Sequence, residues 1–256
     1  MPFRPNDIRR VGEILAFAAR TEIMPRFRRL TATQVREKSS PLDLVTEADE
    51  VAEAVITTGL KVAFPGAIVI GEEGTHKDPA LLQLIADAEL AFIVDPIDGT
   101  KNFTANLPLF GVMAAATVRG EIVAGVIYDP VCRDWAYAAL GAGAWMEHED
   151  GTRIALRVAP PAPVSQMEGV IGTSFLPEPL RTTVNGNLSR LATSTWFRCA
   201  ARKNTAWPRL DIAICYSTIG SCHGIMLRGG SYIRRQAGIA RISMAPPIAR
   251  HILVAG

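Results

Sequence analysis

The chain has 256 residues, 48% of them apolar and 20% charged, with a formal net charge of +2. That is the balance of an ordinary soluble globular protein, long enough for a well-buried core in one large domain or two lobes. No apolar run approaches the roughly 18 residues of a membrane helix, and Cys132, Cys199, Cys215 and Cys222 show neither CxxC pairing nor metal-ligand spacing, which excludes a zinc site and leaves reduced thiols in a cytoplasmic protein as the expectation.

Taken in chain order, residues 6 to 31 place Ile8, Val11, Ile14, Leu15 and Ala18 at helical spacing, with Asn6 or Asp7 as a start signal. Charges run through the apolar face of this segment and no small-residue cleavage site follows, so it is not read as a signal peptide. KSSPLDLVTEAD (38–49) is polar and holds a proline, which predicts a loop or short hairpin. Residues 46 to 62 return to helical spacing, with Thr46 and Asp49 three apart as in a capping box. AIVIGEEG (67–74) predicts a short strand running into two acids, ALLQLIADAEL (80–90) a helix, and AFIVDP a second strand. Residues 109–147 read as several antiparallel strands, with turns at Arg119-Gly120, Asp129-Pro130 and Gly141. Beyond them lie a strand at 168–176, a helix over PEPLRTTVNGNLSRLA and a strand over STWFRCAA. Mixed helices and strands with a central meander predict layers of sheet and helix, and argue against a simple doubly wound sheet.

The chemistry concentrates in acids at the ends of such segments. Asp49 follows DLVTEA, Glu72 follows IVIG, and Asp95 and Asp98 follow FIV in the stretch FIVDPIDGTKNF. Asp95 and Asp98 repel one another unless something positive lies between them. Oxygen-only donors without His or Cys suit a hard cation such as Mg²⁺. Pro96 stiffens the turn so that Asp98 returns toward Asp95, the Ile97 carbonyl is a further oxygen donor, and the amides of Gly99 and Thr100 form a candidate cradle for phosphate. A lone DxxD at a strand end is ordinarily a turn with solvated acids, and a lone GEEG says less. Three acidic clusters at strand or loop junctions in one chain favour a site.

DPIDGTKNF resembles the signature of the inositol monophosphatase family, DPIDGTxNF, at every fixed position. GEEG at 71–74 is similar to that family's acidic metal motif and KSSPLDLVTEAD to its KxxxDxVTxxD loop, in the same order and spacing, over about residues 8 to 201. The resemblance implies a layered αβαβα sandwich of the sugar-phosphatase type and a Mg²⁺-dependent phosphomonoesterase. By position, Glu72, Asp95 and the Ile97 carbonyl would hold one ion, and Asp95 and Asp98 a second. Glu72 and Thr100 would orient the attacking water, with Asp49 polarising Thr100. Gly99 and Thr100 would receive the phosphate, Lys38 would help position water, and Cys199 and Ala200 would wall the substrate pocket. The implied substrate is a small phosphorylated sugar or polyol. Inositol phosphate, fructose bisphosphate, histidinol phosphate and a nucleotide 3′-phosphate are all hydrolysed by relatives with similar motifs. Relatives are often homodimers. No conventional nucleophile is needed, and His76, His148, His223 and His251 lie outside the acidic motifs.

The tail departs from this pattern. The first 201 residues carry nineteen Lys and Arg against twenty-four Asp and Glu, whereas the rest carry eight against one, Asp211. The family's later motifs, WDxAAG and EAGG, do not occur, and Asp211 in RLDIAI does not stand in the context of the first. Codons allowed for Arg202 onward, each read from its third base, permit EKYRLAASGHRHMLFDNWLMPWDHAAG and then EAGGYSA. PWDHAAG emerges from CHGIMLRG and EAGG from RRQAG, which predicts a frameshift near residue 202. A nucleic-acid arm is the competing reading of the basic tail, and it lacks the dense basic and aromatic interleaving such arms carry. The expected organisation is an N-terminal α+β lobe with the metal motifs over 1–147, the start of a C-terminal α/β lobe over 148–201, and an aberrant basic tail over 202–256. A non-catalytic relic that binds metal or phosphate is the alternative function.

Overall fold

The computed structural model describes residues 3–40, 43–156, 168–171, 178–187, 193–195, 212–214, 226–227, 231–236 and 239–243; of residues 38–40 and 43, and of the strands beyond residue 156, only the backbone is described. Helix α1 spans Asp7–Ala18 and continues as a π-helical turn, Ala19–Ile23. The periodicity predicts a helix to residue 31, but Pro25 has no amide to donate and ends the regular ladder. A hairpin of β1 (Val35–Ser40) and β2 (Asp43–Thr46) follows, paired antiparallel with an irregularity between Glu37 and Ser40. It leads into α2, Glu47–Ala63.

Strand β3 (Ile68–Gly71) runs into the short helix α3 (Glu72–Lys77). The segment predicted as a helix over 80–90 forms a 3₁₀ turn instead, Pro79–Ile85, with none of its residues buried. Leu81, Leu82 and Ile85 are only partly buried, which leaves little of the packing that sustains an α-helix. Strand β4 (Ala91–Asp98) ends in the left-handed Gly99, followed by the short helix α4, Thr100–Thr104. The predicted meander is β5 (Gly111–Val118), β6 (Glu121–Asp129), β7 (Asp134–Ala139) and β8 (Gly143–His148), extended by β9 (Arg153–Leu156). These form one seven-stranded sheet in the order β3-β4-β5-β6-β7-β8-β9. Only β3 and β4 are parallel; every other neighbour is antiparallel.

Alternation sorts this sheet into two faces. Phe92 and Val94 of β4, Val112, Ala114 and Ala116 of β5, and Ala124, Val126 and Tyr128 of β6 join Ile8, Val11 and Leu15 of α1 and Ala52, Ile56 and Leu60 of α2 in one core. Met113 and Ile127, one residue out of phase, are buried on the opposite face. The central strands are therefore covered on both sides, as in a layered α/β protein. A second sheet has the order β11-β10-β12, where β10 is Glu168–Ile171, β11 is Thr193–Thr195 and β12 is Ile212–Ile214, all parallel. Helix α5 (Leu180–Asn187) lies between β10 and β11 in sequence. Met226–Leu227, Ser231–Gln236 and Ile239–Ser243 form a third, antiparallel sheet.

Candidate active site at the ends of strands β3 and β4

An odd spacing such as Asp95 to Asp98 sends two side chains to opposite faces of a regular strand. Strand β4 is not regular here. Asp95 pairs with Met113 of β5 and Asp98 with Gly111, so three steps on β4 oppose two on β5. That is a bulge with one extra residue, and it is where a proline is tolerated in a sheet. Met113 and Gly111 are two apart on β5, so the register gives Asp95 and Asp98 the same face, away from α1 and α2. Glu72 comes alongside, because Gly71 pairs with Val94 and the next positions are Glu72 and Asp95. Asp95 is buried, while Glu72 and Asp98 are partly exposed.

The loop after the bulge is fixed by its own residues. Gly99 has φ 96° and ψ 34°, a left-handed conformation that a side chain would strain. Its carbonyl accepts from the amides of Asn102 (2.8 Å) and Phe103 (3.0 Å). The Asn102 amide group donates to the Leu109 carbonyl at 2.7 Å, and Phe103 is fully buried, 5.6 Å from the Phe27 ring and 5.1 Å from that of Phe110. The last two letters of DPIDGTKNF are thus structural anchors for α4, a role that reading the acids alone does not reveal.

Asp49 is almost wholly buried, and one of its oxygens accepts from both the amide (2.8 Å) and the hydroxyl (2.6 Å) of Thr46. This is the capping box at the start of α2. The Thr100 hydroxyl lies 3.2 Å from the other oxygen, Oδ1, and 2.9 Å from the Ile97 carbonyl, so its single hydrogen has two acceptors. Burial pushes the Asp49 carboxyl up to about 7; the Thr46 hydrogen bonds oppose this, and the charges of Glu73 and Glu72 add to it. Asp49 therefore feels the acids of the β3–α3 turn.

A fifth acid, Glu53, is one helical turn from Asp49 and was not singled out by the motifs. Its Oε2 accepts from the Glu73 amide (2.7 Å) and its Oε1 from the Gly74 amide (2.9 Å). The signal that would have found it is the i, i+4 spacing from Asp49, which puts both on one face of α2.

The predicted residues Ile97, Gly99 and Thr100 lie at the turn after β4, Asp49 of α2 meets it through the Thr100 hydroxyl, and Glu72, Asp95 and Asp98 stand at the adjoining strand ends. Lys38 lies on β1, and its side chain is outside the description; Cys199 and Ala200 lie outside the described residues. The donors are all hard oxygens, fitting a cation such as Mg²⁺ in chemistry and in their order along the sheet. Among the described residues, no group of three His, Cys, Asp or Glu is gathered closely enough to hold a metal ion.

The layered α/β fold is shared with solved SuhB and IMPase structures. The Mycobacterium tuberculosis protein SuhB superposes with a TM-score of 0.60 at 26% identity, covering 82% of this chain and 77% of that one. By sequence, the chain is 30% identical to the Nus factor SuhB of Vibrio cholerae over 80% of its length and 73% of the relative's. It is 34% identical to the inositol-1-monophosphatase of Mycobacterium leprae over 67% of its length, spanning 60% of that enzyme. The sequence pattern of the inositol monophosphatase family matches residues 5–207. The chain belongs to the inositol monophosphatase family, by which it is a phosphoric monoester hydrolase. The match stops within a few residues of the point where the motif pattern is lost.

Proposed function

We propose that this chain carries the machinery of a Mg²⁺-dependent phosphomonoesterase acting on a small phosphorylated polyol or sugar, impaired by the absence of WDxAAG. The observation that supports it is the β4 bulge, which gives Asp95 and Asp98 one face beside Glu72. Glu72, Asp95 and the Ile97 carbonyl would hold one cation, and Asp95 and Asp98 the second. When bound, such cations lower the pKa of water and neutralise charge on a transferring phosphoryl group.

The rest is done by the chain. Thr100 donates its hydroxyl hydrogen toward Asp49, which leaves its lone pairs to accept from a water and aim it. Glu72 would accept a hydrogen bond from the other hydrogen of that water and orient it together with Thr100. The Gly99 and Thr100 amides would receive the phosphate, and Lys38 would help position the attacking water. Cys199 and Ala200 wall the pocket. A cytoplasmic location and a homodimer complete the reading; no described helix is long and apolar enough to cross a membrane.

The test is phosphate release from inositol monophosphate and a panel of sugar phosphates, with Mg²⁺ and with chelator. A slow release that needs Mg²⁺ and vanishes in Glu72→Gln is expected. Turnover matching an intact family member overturns the impairment; release indifferent to chelator and to Glu72→Gln overturns the metal reading. The second reading is a non-catalytic protein that retains the cation site, favoured by the missing motif: it predicts cation binding with no release.

A further inference from the structure

Gly71 stands where β3 hands over to α3, with φ −93° and ψ 162°. Any residue adopts those angles, so backbone conformation does not explain a glycine. Space does. A Cβ built on Gly71 would run into the Glu53 carboxylate, whose three terminal atoms are its nearest neighbours. The glycine lets a carboxylate from α2 come down onto the backbone of the turn, where it takes the amides of Glu73 and Gly74, one on each oxygen. These are early amides of α3, which have no partner within a helix. The same turn is tied from its other side by the Thr75 hydroxyl, 2.7 Å from the Gly71 carbonyl. Glu72 lies between these ties.

We propose that Glu53 is a positioning residue for Glu72: it fixes the backbone of the β3–α3 turn from which the Glu72 carboxylate would reach a cation. The proposal rests on the reading of Glu72 as a ligand. Helix α2 then acts as a brace through one face, with Asp49 setting Thr100 and Glu53, one turn later, setting Glu72. A carboxylate is required because it offers an acceptor oxygen to each amide, whereas a glutamine offers one oxygen and turns an NH₂ toward the other. Supports of this kind lie outside the ligand set and act through the orientation of the ligand.

Mn²⁺ is the probe, followed by the electron paramagnetic resonance signal of the free ion, on the full chain and at a temperature where circular dichroism shows each variant folded. Glu53→Ala should weaken Mn²⁺ binding by about tenfold or more, the range typical of outer supports of a metal ligand, and Glu53→Gln by less. Gly71→Ala, whose methyl displaces the carboxylate, should weaken binding as Glu53→Ala does, yet change it by under about twofold when added to Glu53→Ala, since the two share one interaction. Leu60→Ala, a buried residue two turns further along α2, should lower the thermal midpoint without moving Mn²⁺ affinity. Wild-type binding that is lost in Glu72→Gln but unchanged in Glu53→Ala overturns the positioning role alone. A drop in affinity with Leu60→Ala equal to that with Glu53→Ala also overturns it, by reducing Glu53 to a general support of α2. A wild-type chain that binds no Mn²⁺, or a Glu72→Gln chain that binds as well as wild type, overturns the ligand reading and this inference with it.

Discussion

Asp49 does two jobs that pull against each other. Its two oxygens serve the cap of α2 and the Thr100 hydroxyl, and its burial beside Glu73 and Glu72 raises its pKa from 3.8 to about 7. The folded protein therefore holds this proton more tightly than the unfolded chain does, so stability declines as pH rises. The contribution is complete below about pH 4 and lost as pH passes through about 7. Asp49→Asn removes the titration, and in metal-free buffer it should gain on wild type by on the order of 2 kcal/mol between about pH 5 and about pH 8. Urea unfolding at the two pH values measures this; an equal gap at both rejects it. Gly99 is a second residue-scale case: at φ 96°, Gly99→Ala should lower stability by about 1–2 kcal/mol, read as a shift in the unfolding midpoint.

At the scale of elements, α4 is short and owes its position to what anchors it. Phe103 fills the space between Phe27, which follows the π-helical turn, and Phe110 just before β5. Phe103→Ala should cost about 3–5 kcal/mol through the cavity it leaves. It should also weaken Mn²⁺ binding, because Asp98 and Thr100 border this helix. Thermal unfolding and a Mn²⁺ titration check the two parts separately. The β1–β2 hairpin is held more lightly. Arg36 pairs with Glu50 of α2, and Gln34 donates to Glu47 at 3.0 Å, with the arginine largely exposed. Glu50→Gln should change stability by under about 1 kcal/mol, as exposed pairs do; a larger shift in the unfolding midpoint would contradict it.

For the molecule as a whole, the decisive region lies beyond residue 201. The family match ends at residue 207, and the acid count falls to one in the same region. We predict that the coding DNA around codons 200 to 203 shows a base gained or lost, and that a chain carrying the restored frame, with PWDHAAG and EAGG, releases phosphate from sugar phosphates far faster than the chain as written. Equal rates for the two chains would reject the idea that the tail limits activity.

The amino-acid sequence alone determined the family, the layered α/β class, the meander and the identity of the acids, because DPIDGTKNF, GEEG and the capping box are local patterns whose chemistry reads directly from residue type and spacing. It also carried false signals of the same local kind. The spacing over 80–90 suggests a helix, yet none of residues Pro79–Ile85 is buried and the stretch tightens to a 3₁₀ turn. Pro96 predicts that Asp98 turns back toward Asp95, but only the tertiary structure decided how: at their odd spacing, the bulge in the β4–β5 register gives them one face. Glu53 shares a helix face with Asp49 by its spacing, but what it binds was hidden for a related reason. On α2 it looks like one more acid after Glu47 and Glu50, and its partners are backbone amides twenty and twenty-one residues away. Backbone groups leave no trace in residue type, so a contact between a side chain and a distant backbone appears only once the chain has folded.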